Sequence, residues 1–327
     1  MTVKADPLYP DKTLPMLLTV DRGDIGKPGV FCDWVSRNSE KFDDWLHLTG
    51  AVLVRGYNID TPEAFRRVCA AIRPDFDDSI GDDALISLIG SHDAADDREN
   101  SDEVLLHNAL SYAGSTPERL FYGCLKPSRS SDEAQLVDGR EIFKNLRKDL
   151  RRKFEDLGVI YHRYLRSENG EPGTGDTWQE AFQSDDPLHV EKFLVESEMK
   201  YEWTDDGLRT STDHASVVKH PFTGERCWCN QADRWHLGTL GVADSGVESI
   251  SAEQKATPGI DTFGNHVTFG DGSEIPLADL LHVREVIRAC RVTFPWKTGD
   301  LLVIDNVMAM HGQKAYSGAP DVIIAVA

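Results

Sequence analysis

What most constrains the fold of this chain is a set of short apolar runs, each cut off by glycine, proline or polar residues, with helical patterns between them. Gly50-Ala51-Val52-Leu53-Val54-Arg55-Gly56 reads as a buried strand closed by glycine. Leu120-Phe121-Tyr122-Gly123-Cys124-Leu125 is a second, stopped by Lys126-Pro127. Asp300 to Asn306 and Val322 to Val326 read as two more, joined by a hairpin around His311 to Pro320. Val217-Val218 leads through a Pro221-Phe222-Thr223-Gly224 turn into Cys227-Trp228-Cys229, whose alternation puts both thiols on one side. Around these runs, Lys41-Phe42 with Trp45-Leu46 reads as an amphipathic helix. Thr61-Pro62-Glu63 opens another, with Phe65, Val68, Cys69 and Ile72 on one face. Asp138 to Val159 reads as helical through Ile142, Phe143, Leu146, Leu150 and Phe154. No strand–helix–strand rhythm links the runs. The expectation is a mainly β protein with helical insertions (α+β), an antiparallel double-sheet barrel and not a doubly wound sheet.

The chain has 327 residues, 40% hydrophobic and 28% charged, enough for one large core. We expect a single domain over 1–327, with helical insertions at about 140–215 and an acidic loop at about 73–103. The acidic stretch holds Asp75, Asp77, Asp78, Asp82 and Asp83, then Asp93, Asp96, Asp97 and Glu99; loops of this length in enzymes are often lids. A formal net charge of −20 argues against nucleic-acid binding, which needs clustered positive charge. The apolar runs are too short to cross a bilayer, and Met1-Thr2-Val3-Lys4 has no signal-peptide pattern. Six scattered cysteines are not a disulfide scaffold, and the Cys227/Cys229 pair lacks the two further ligands that zinc wants. The reading is a reduced, cytoplasmic protein with no membrane partner.

The chemistry rests on two histidines far apart in sequence, each beside a strand-like run. His107 lies in Leu105-Leu106-His107-Asn108-Ala109, and His311 follows Asp300 to Asn306. A mononuclear iron site needs such a pair, and usually adds a carboxylate two residues after the first histidine to complete a facial triad. Here that position is Ala109.

Taken in order, several pieces resemble the taurine dioxygenase and clavaminate synthase superfamily of Fe(II)/2-oxoglutarate oxygenases, nearest to its amino-acid hydroxylases. They are Gly50 to Gly56, His107-Asn108-Ala109-Leu110-Ser111-Tyr112, Thr177-Trp178-Gln179-Glu180-Ala181-Phe182, Gly207-Leu208-Arg209-Thr210, Trp228-Cys229-Asn230-Gln231, and Trp296-Lys297-Thr298-Gly299-Asp300 continuing to His311-Gly312. The resemblance runs from about residue 45 to the end and implies a double-stranded β-helix (jelly roll). It places His107 and His311 on the two metal histidines and Ala109 on the metal carboxylate. Ala134 falls on a threonine that usually hydrogen-bonds 2-oxoglutarate. Pro320-Asp321 falls on the arginine pair that holds its distal carboxylate, and Gln313 on another common arginine.

These departures have physical consequences. Losing the carboxylate opens a coordination position, and halide occupies it in the family's iron halogenases. Losing the arginine removes the cation that offsets desolvation of a dicarboxylate, and Asp321 there would repel it. Conventional 2-oxoglutarate hydroxylation is therefore disfavoured, while Fe(II) remains the implied metal and chloride enters if the protein is a halogenase.

Asp233 is the candidate third ligand, with a surface ion pair to Arg234 as the plainer alternative. Arg234 or Lys314 are candidate anchors for an acidic ligand, Arg209 and Asn230 candidate substrate contacts, and Tyr112 a neighbour of the metal or a core residue. Trp178, Trp203, Trp228 and Trp296 read as core. His47, His162, His189, His266 and His282 read as structural or surface. The expected function is a natural-product tailoring enzyme on the non-heme iron scaffold, acting on an amino acid or an amino-acid-derived small molecule, free or carrier-bound. The alternatives are a halogenase, in which Ala109 opens a halide site, and a catalytically silent binding or partner protein.

Overall fold

The computed structural model describes residues 3–20, 26–74, 104–112, 116–127, 133–168, 177–239, 264–314 and 321–327. The acidic stretch expected at 73–103 falls almost entirely outside them. Strands are numbered along the chain as β1 (Val3–Pro7), β2 (Met16–Val20), β3 (Ala51–Arg55), β4 (Val104–His107), β5 (Arg119–Lys126), β6 (Glu133–Asp138), β7 (Val159–Arg166), β8 (Lys200–Thr204), β9 (Gly207–His214), β10 (Val217–Lys219), β11 (Arg226–Trp228), β12 (Asn265–Phe269), β13 (Val292–Pro295), β14 (Asp300–Asp305), β15 (Ala309–Gln313) and β16 (Asp321–Val326). Two sheets form the body: β1-β2-β3-β14-β5-β16, antiparallel except for the β2–β3 pair, and the antiparallel β13-β6-β15-β4. A third sheet, β12-β7-β9-β8, and the ribbon β10-β11 lie outside them.

Strand alternation decides what each sheet faces. In the larger sheet Val52, Val54, Leu301 and Val303 pack against Phe31, Phe42, Leu46, Phe65 and Val68 of the helices Pro28–Arg37, Ser39–Thr49 and Pro62–Ile72. Their neighbours Ala51, Leu53, Leu302 and Ile304 turn inward, where they meet Ala134, Leu136, Phe294 and Ala309 of the second sheet. The back of that sheet, through Leu106, Val137 and Met310, rests on Ile142, Leu150, Phe154, Leu280 and Val283 of three helices. Each such aliphatic side chain contributes about 1.5–3 kcal/mol by leaving water, so the register is strongly set: a one-residue slip would exchange the faces.

Local signals behave as expected at several points. The Thr61 hydroxyl accepts the Ala64 N–H at 3.2 Å, and Phe65, Val68, Cys69 and Ile72 are all buried. Gly50 adopts φ +78° after the helix Ser39–Thr49, which lets the chain turn directly into β3.

Three expectations need correction. The stretch Asp138 to Val159 is two helices, Gly139–Asn145 and Lys148–Leu157, with Asp138 as cap of the first and Val159 already in β7. The region 140–215 is not purely helical, since β7, β8 and β9 occupy much of it. And β14 and β16 are not a hairpin. Both pair with β5, while the chain between them crosses to the other sheet as β15, carrying His311 with it.

Candidate metal centre

That crossing brings the two histidines together. His311 and His107 are direct partners across β15 and β4, so their side chains share a face. Leu106 and Met310 point to the outer helical layer, which turns the histidines next to them toward the space between the sheets. Their ring centroids lie 4.3 Å apart, and both residues are buried. Tyr122 of β5 faces His311 from the opposite sheet at 5.3 Å. Burial, then the charges of His107 and Arg234, hold the His311 imidazole well below its usual pKa. It is therefore a neutral ring, and its buried Nδ1 has no hydrogen-bond partner. Two opposed imidazoles, one with an unpaired ring nitrogen, suit a borderline divalent ion.

The backbone beside the pair is fixed by three buried amides. The Asn306 side chain accepts the Ala109 N–H at 2.8 Å and donates to the Ala109 and Pro117 carbonyls, both at 2.9 Å. Asn108 donates to the Asn306 carbonyl at 2.6 Å, and Gln231 donates to the Asn108 carbonyl at 2.7 Å. The Tyr161 hydroxyl accepts the Gln231 N–H at 2.7 Å. Behind the turn, Asp305 bonds buried His220 at 2.8 Å and accepts the Val307 and Met308 N–H groups. Asn108, Gln231 and Asn306 stood in the motif runs, but no local pattern showed that they join residues about 120 to 200 positions apart.

Other expected site residues separate. Ala109, which the resemblance sets at the metal carboxylate, is buried in the apolar cluster between the sheets. Ala134 belongs to the same cluster, opposite Gln313 in register. Asp321 is exposed at the start of β16, opposite Lys126. Lys314 is ion-paired with Glu133 beside it. Arg209 lies on β9 in the outer sheet, 3.6 Å from Glu202 and over the Tyr164 ring, and is not gathered with the pair. Asn230 donates to the Ser216 carbonyl and accepts the Ala232 N–H, a structural role. Tyr112 packs on Trp235 at 4.5 Å.

Asp233 is buried and not a surface residue, and its ion-pair partner is Arg284 at 3.5 Å; burial raises its carboxyl pKa. Among the described residues, the trio of His, Cys, Asp or Glu whose ligand atoms converge is His236, His266 and Glu274, not the histidine pair with Asp233. Arg234 stays in play: it donates to Gln231 at 3.4 Å, and its charge acts on His311. The Cys227 and Cys229 thiols are pushed up to about 12 by burial, which makes them poor metal ligands.

A facing histidine pair between two stacked sheets defines a jelly-roll scaffold with a candidate metal centre. The model of the taurine catabolism dioxygenase TauD, TfdA family matches residues 19–326, and the chain belongs to this family. It is similar to the dapdiamide synthesis protein DdaC of Enterobacter agglomerans, 28% identical over 67% of this chain but only 64% of that protein. A clavaminate synthase-like protein of Arabidopsis thaliana is 25% identical over 94% of this chain and 92% of its own. Among solved structures, AAD-2 in complex with Mn(II) and N-oxalylglycine covers the whole chain and 97% of its own at TM-score 0.52 and 14% identity. PvcB of Pseudomonas aeruginosa covers 99% and 90% at 0.52 and 14%. These two likenesses carry the fold alone.

The family uses Fe(II) and 2-oxoglutarate, and the residues present fit the two groups differently. The histidine pair, with its unpaired buried Nδ1, fits a metal ion. The positions that the resemblance assigns to the cosubstrate offer 2-oxoglutarate no partner: Ala134 is packed in the apolar cluster and carries no hydroxyl, and Asp321 is an exposed carboxylate.

Proposed function

We propose that this protein is an atypical tailoring enzyme of its family. It binds one divalent metal at His107 and His311 and acts on an amino acid or an amino-acid-derived small molecule. It does so without 2-oxoglutarate anchored in the usual way. The observation that carries this reading is the buried, opposed histidine pair with the Nδ1 of His311 unsatisfied. An iron(II) ion held there supplies oxygen chemistry at its remaining coordination positions.

The chain's own residues do the rest. Arg234 places positive charge toward the pair and is the side chain that meets a substrate carboxylate. Gln231, which accepts from Arg234, also holds the Asn108 carbonyl, so the charged arm and the histidine strand are set by one amide. Leu136, Phe294 and Trp296 keep water from the space between the sheets and strengthen that charge. DdaC, named for dapdiamide synthesis, supports a role in natural-product chemistry, and a carrier-bound substrate belongs to the same reading.

Halogenation is the second reading, favoured by one observation: the Ala109 methyl leaves the carboxylate's coordination position to an exogenous anion such as chloride. The test is to load the protein with Co(II), add a panel of amino acids with and without chloride, and follow the visible spectrum. Binding of an amino acid should perturb the metal bands, and Arg234→Gln should weaken that binding by about tenfold or more with the metal retained. A chloride-dependent spectrum would favour halogenation. Failure to load Co(II) would leave the silent-scaffold alternative in its place.

A further inference from the structure

A second cluster lies outside the histidine pair and plays no part in the function just described. His236 follows the short helix Ala232–Trp235, His266 lies on β12, and Glu274 follows the turn after β12. The His266 Nε2 is 3.2 Å from Glu274 Oε1, and the His236 Nε2 is 3.4 Å from Oε2 of the same carboxylate. The two rings are 4.7 Å apart, and one ligand atom from each residue lies within 4.8 Å of the others. The His236 side chain is 9% exposed, and among the described residues its Nε2 has only the loosely placed Glu274 carboxylate as a partner, with no hydrogen bond of good geometry. We propose that His236, His266 and Glu274 are a binding site for a divalent transition-metal ion of the zinc type, separate from the His107/His311 pair.

The donor set suits such an ion. Two imidazoles and one carboxylate are borderline ligands, three protein groups leave a position for water, and the exposed Glu274 gives the ion a way in. Metal ligation requires a neutral imidazole. Glu274, meanwhile, is the negative charge facing both rings, with His162 stacked on His266 at 6.3 Å.

Without metal the same residues form a hydrogen-bonded clamp. The His236 Nδ1 accepts the Gly238 N–H at 3.0 Å, and the His266 Nδ1 accepts the Leu237 N–H at 3.4 Å. Each neutral ring then carries its proton on Nε2, directed at Glu274. A metal at the two Nε2 atoms moves each ring proton to Nδ1, with none released. The Gly238 and Leu237 N–H contacts must then open, and the 236–239 turn must shift. The site is a switchable staple between β12 and the helix that carries Asp233 and Arg234.

The experiment uses the His107→Ala/His311→Ala double variant, so that the barrel pair does not contribute. Equilibrated with Zn(II) and freed of excess, it should retain one zinc per chain. Adding His266→Ala should abolish this, and Glu274→Gln should lower affinity at least tenfold. Hydrogen exchange at the Gly238 amide should speed up on zinc loading. If the double variant misfolds, the wild-type protein is compared with His266→Ala alone, which should hold one zinc fewer. No zinc in the double variant, zinc unchanged after His266→Ala, or an undisturbed Gly238 amide would each overturn the proposal.

Discussion

The two ends of the space between the sheets differ. At the β4–β15 end, His107 and His311 are opposed and buried, and Asn108, Gln231 and Asn306 tie their backbone together through buried amide hydrogen bonds, with the Asn108 Oδ1 left unpaired. At the other end, Ala134 has joined the apolar cluster, Lys314 is neutralised by Glu133, and Asp321 faces solvent. The contrast is instructive because a buried polar group left unpaired is costly, whereas a lost anchor can be replaced by packing at little cost to stability. On the proposed reading the histidine end keeps a functional site, and the residues assigned to the cosubstrate end offer it no anchor.

The largest test of that contrast is His311→Ala. It should lower Co(II) affinity at the barrel pair by at least a hundredfold, read by metal titration, because one of two protein ligands is removed. Unchanged affinity would mean that the histidine end is core as well. Next, Asn306→Ala leaves the Ala109 N–H and the Ala109 and Pro117 carbonyls without partners. It should cost about 2–4 kcal/mol in urea unfolding. Ala134→Ser should cost about 1–3 kcal/mol, since it adds one buried hydroxyl to an apolar cluster.

Rebuilding the lost anchors attacks the contrast from the other side. The pair Ala134→Thr with Asp321→Arg should raise 2-oxoglutarate affinity by about tenfold or more, measured by calorimetry on the Co(II) protein. If the wild type already binds as tightly, the difference at the cosubstrate end is illusory.

The smallest effect concerns pH. His214 and His311 are held neutral by burial, so their folded pKa values lie below the unfolded value of about 6.5. As pH falls below that value the unfolded chain takes up protons that the folded chain refuses. Stability should therefore decline, by up to about 1.4 kcal/mol per pH unit for each such ring. His214→Gln should flatten part of the slope in urea melts between pH 6.5 and 5, and an unchanged slope would count against it.

The sequence made the metal end legible and the rest only in part. His107, His311 and Ala109 lie in ordered motif runs, and β3 and the helix Pro62–Ile72 announce themselves by a closing glycine and a Thr-Pro start. The strands β7 and β9 escaped because His162, Arg163 and Tyr164, or Arg209, Thr210 and Ser211, break any apolar run. Their pairing partners supply the pattern instead. The hairpin expected around His311 failed for a related reason, since β14 and β16 meet only through β5. Lys314 looked free in sequence because its partner Glu133 is 181 residues away. Asp233, a candidate third ligand or a surface partner of Arg234 from the sequence, is instead buried beside Arg284 of a distant helix. The His236, His266 and Glu274 cluster has no spacing signature at all, because it is assembled by the packing of a short helix on β12.

The central claim is that the barrel holds a metal but no longer anchors 2-oxoglutarate. It is tested most directly by anaerobic titration of the His266→Ala protein, in which the second cluster is removed, with Fe(II) and then 2-oxoglutarate. The account predicts one Fe(II) per chain, lost in His311→Ala, and no visible metal-to-ligand charge-transfer band when 2-oxoglutarate is added at micromolar concentration. A saturable band at that concentration, or no bound iron, would contradict it.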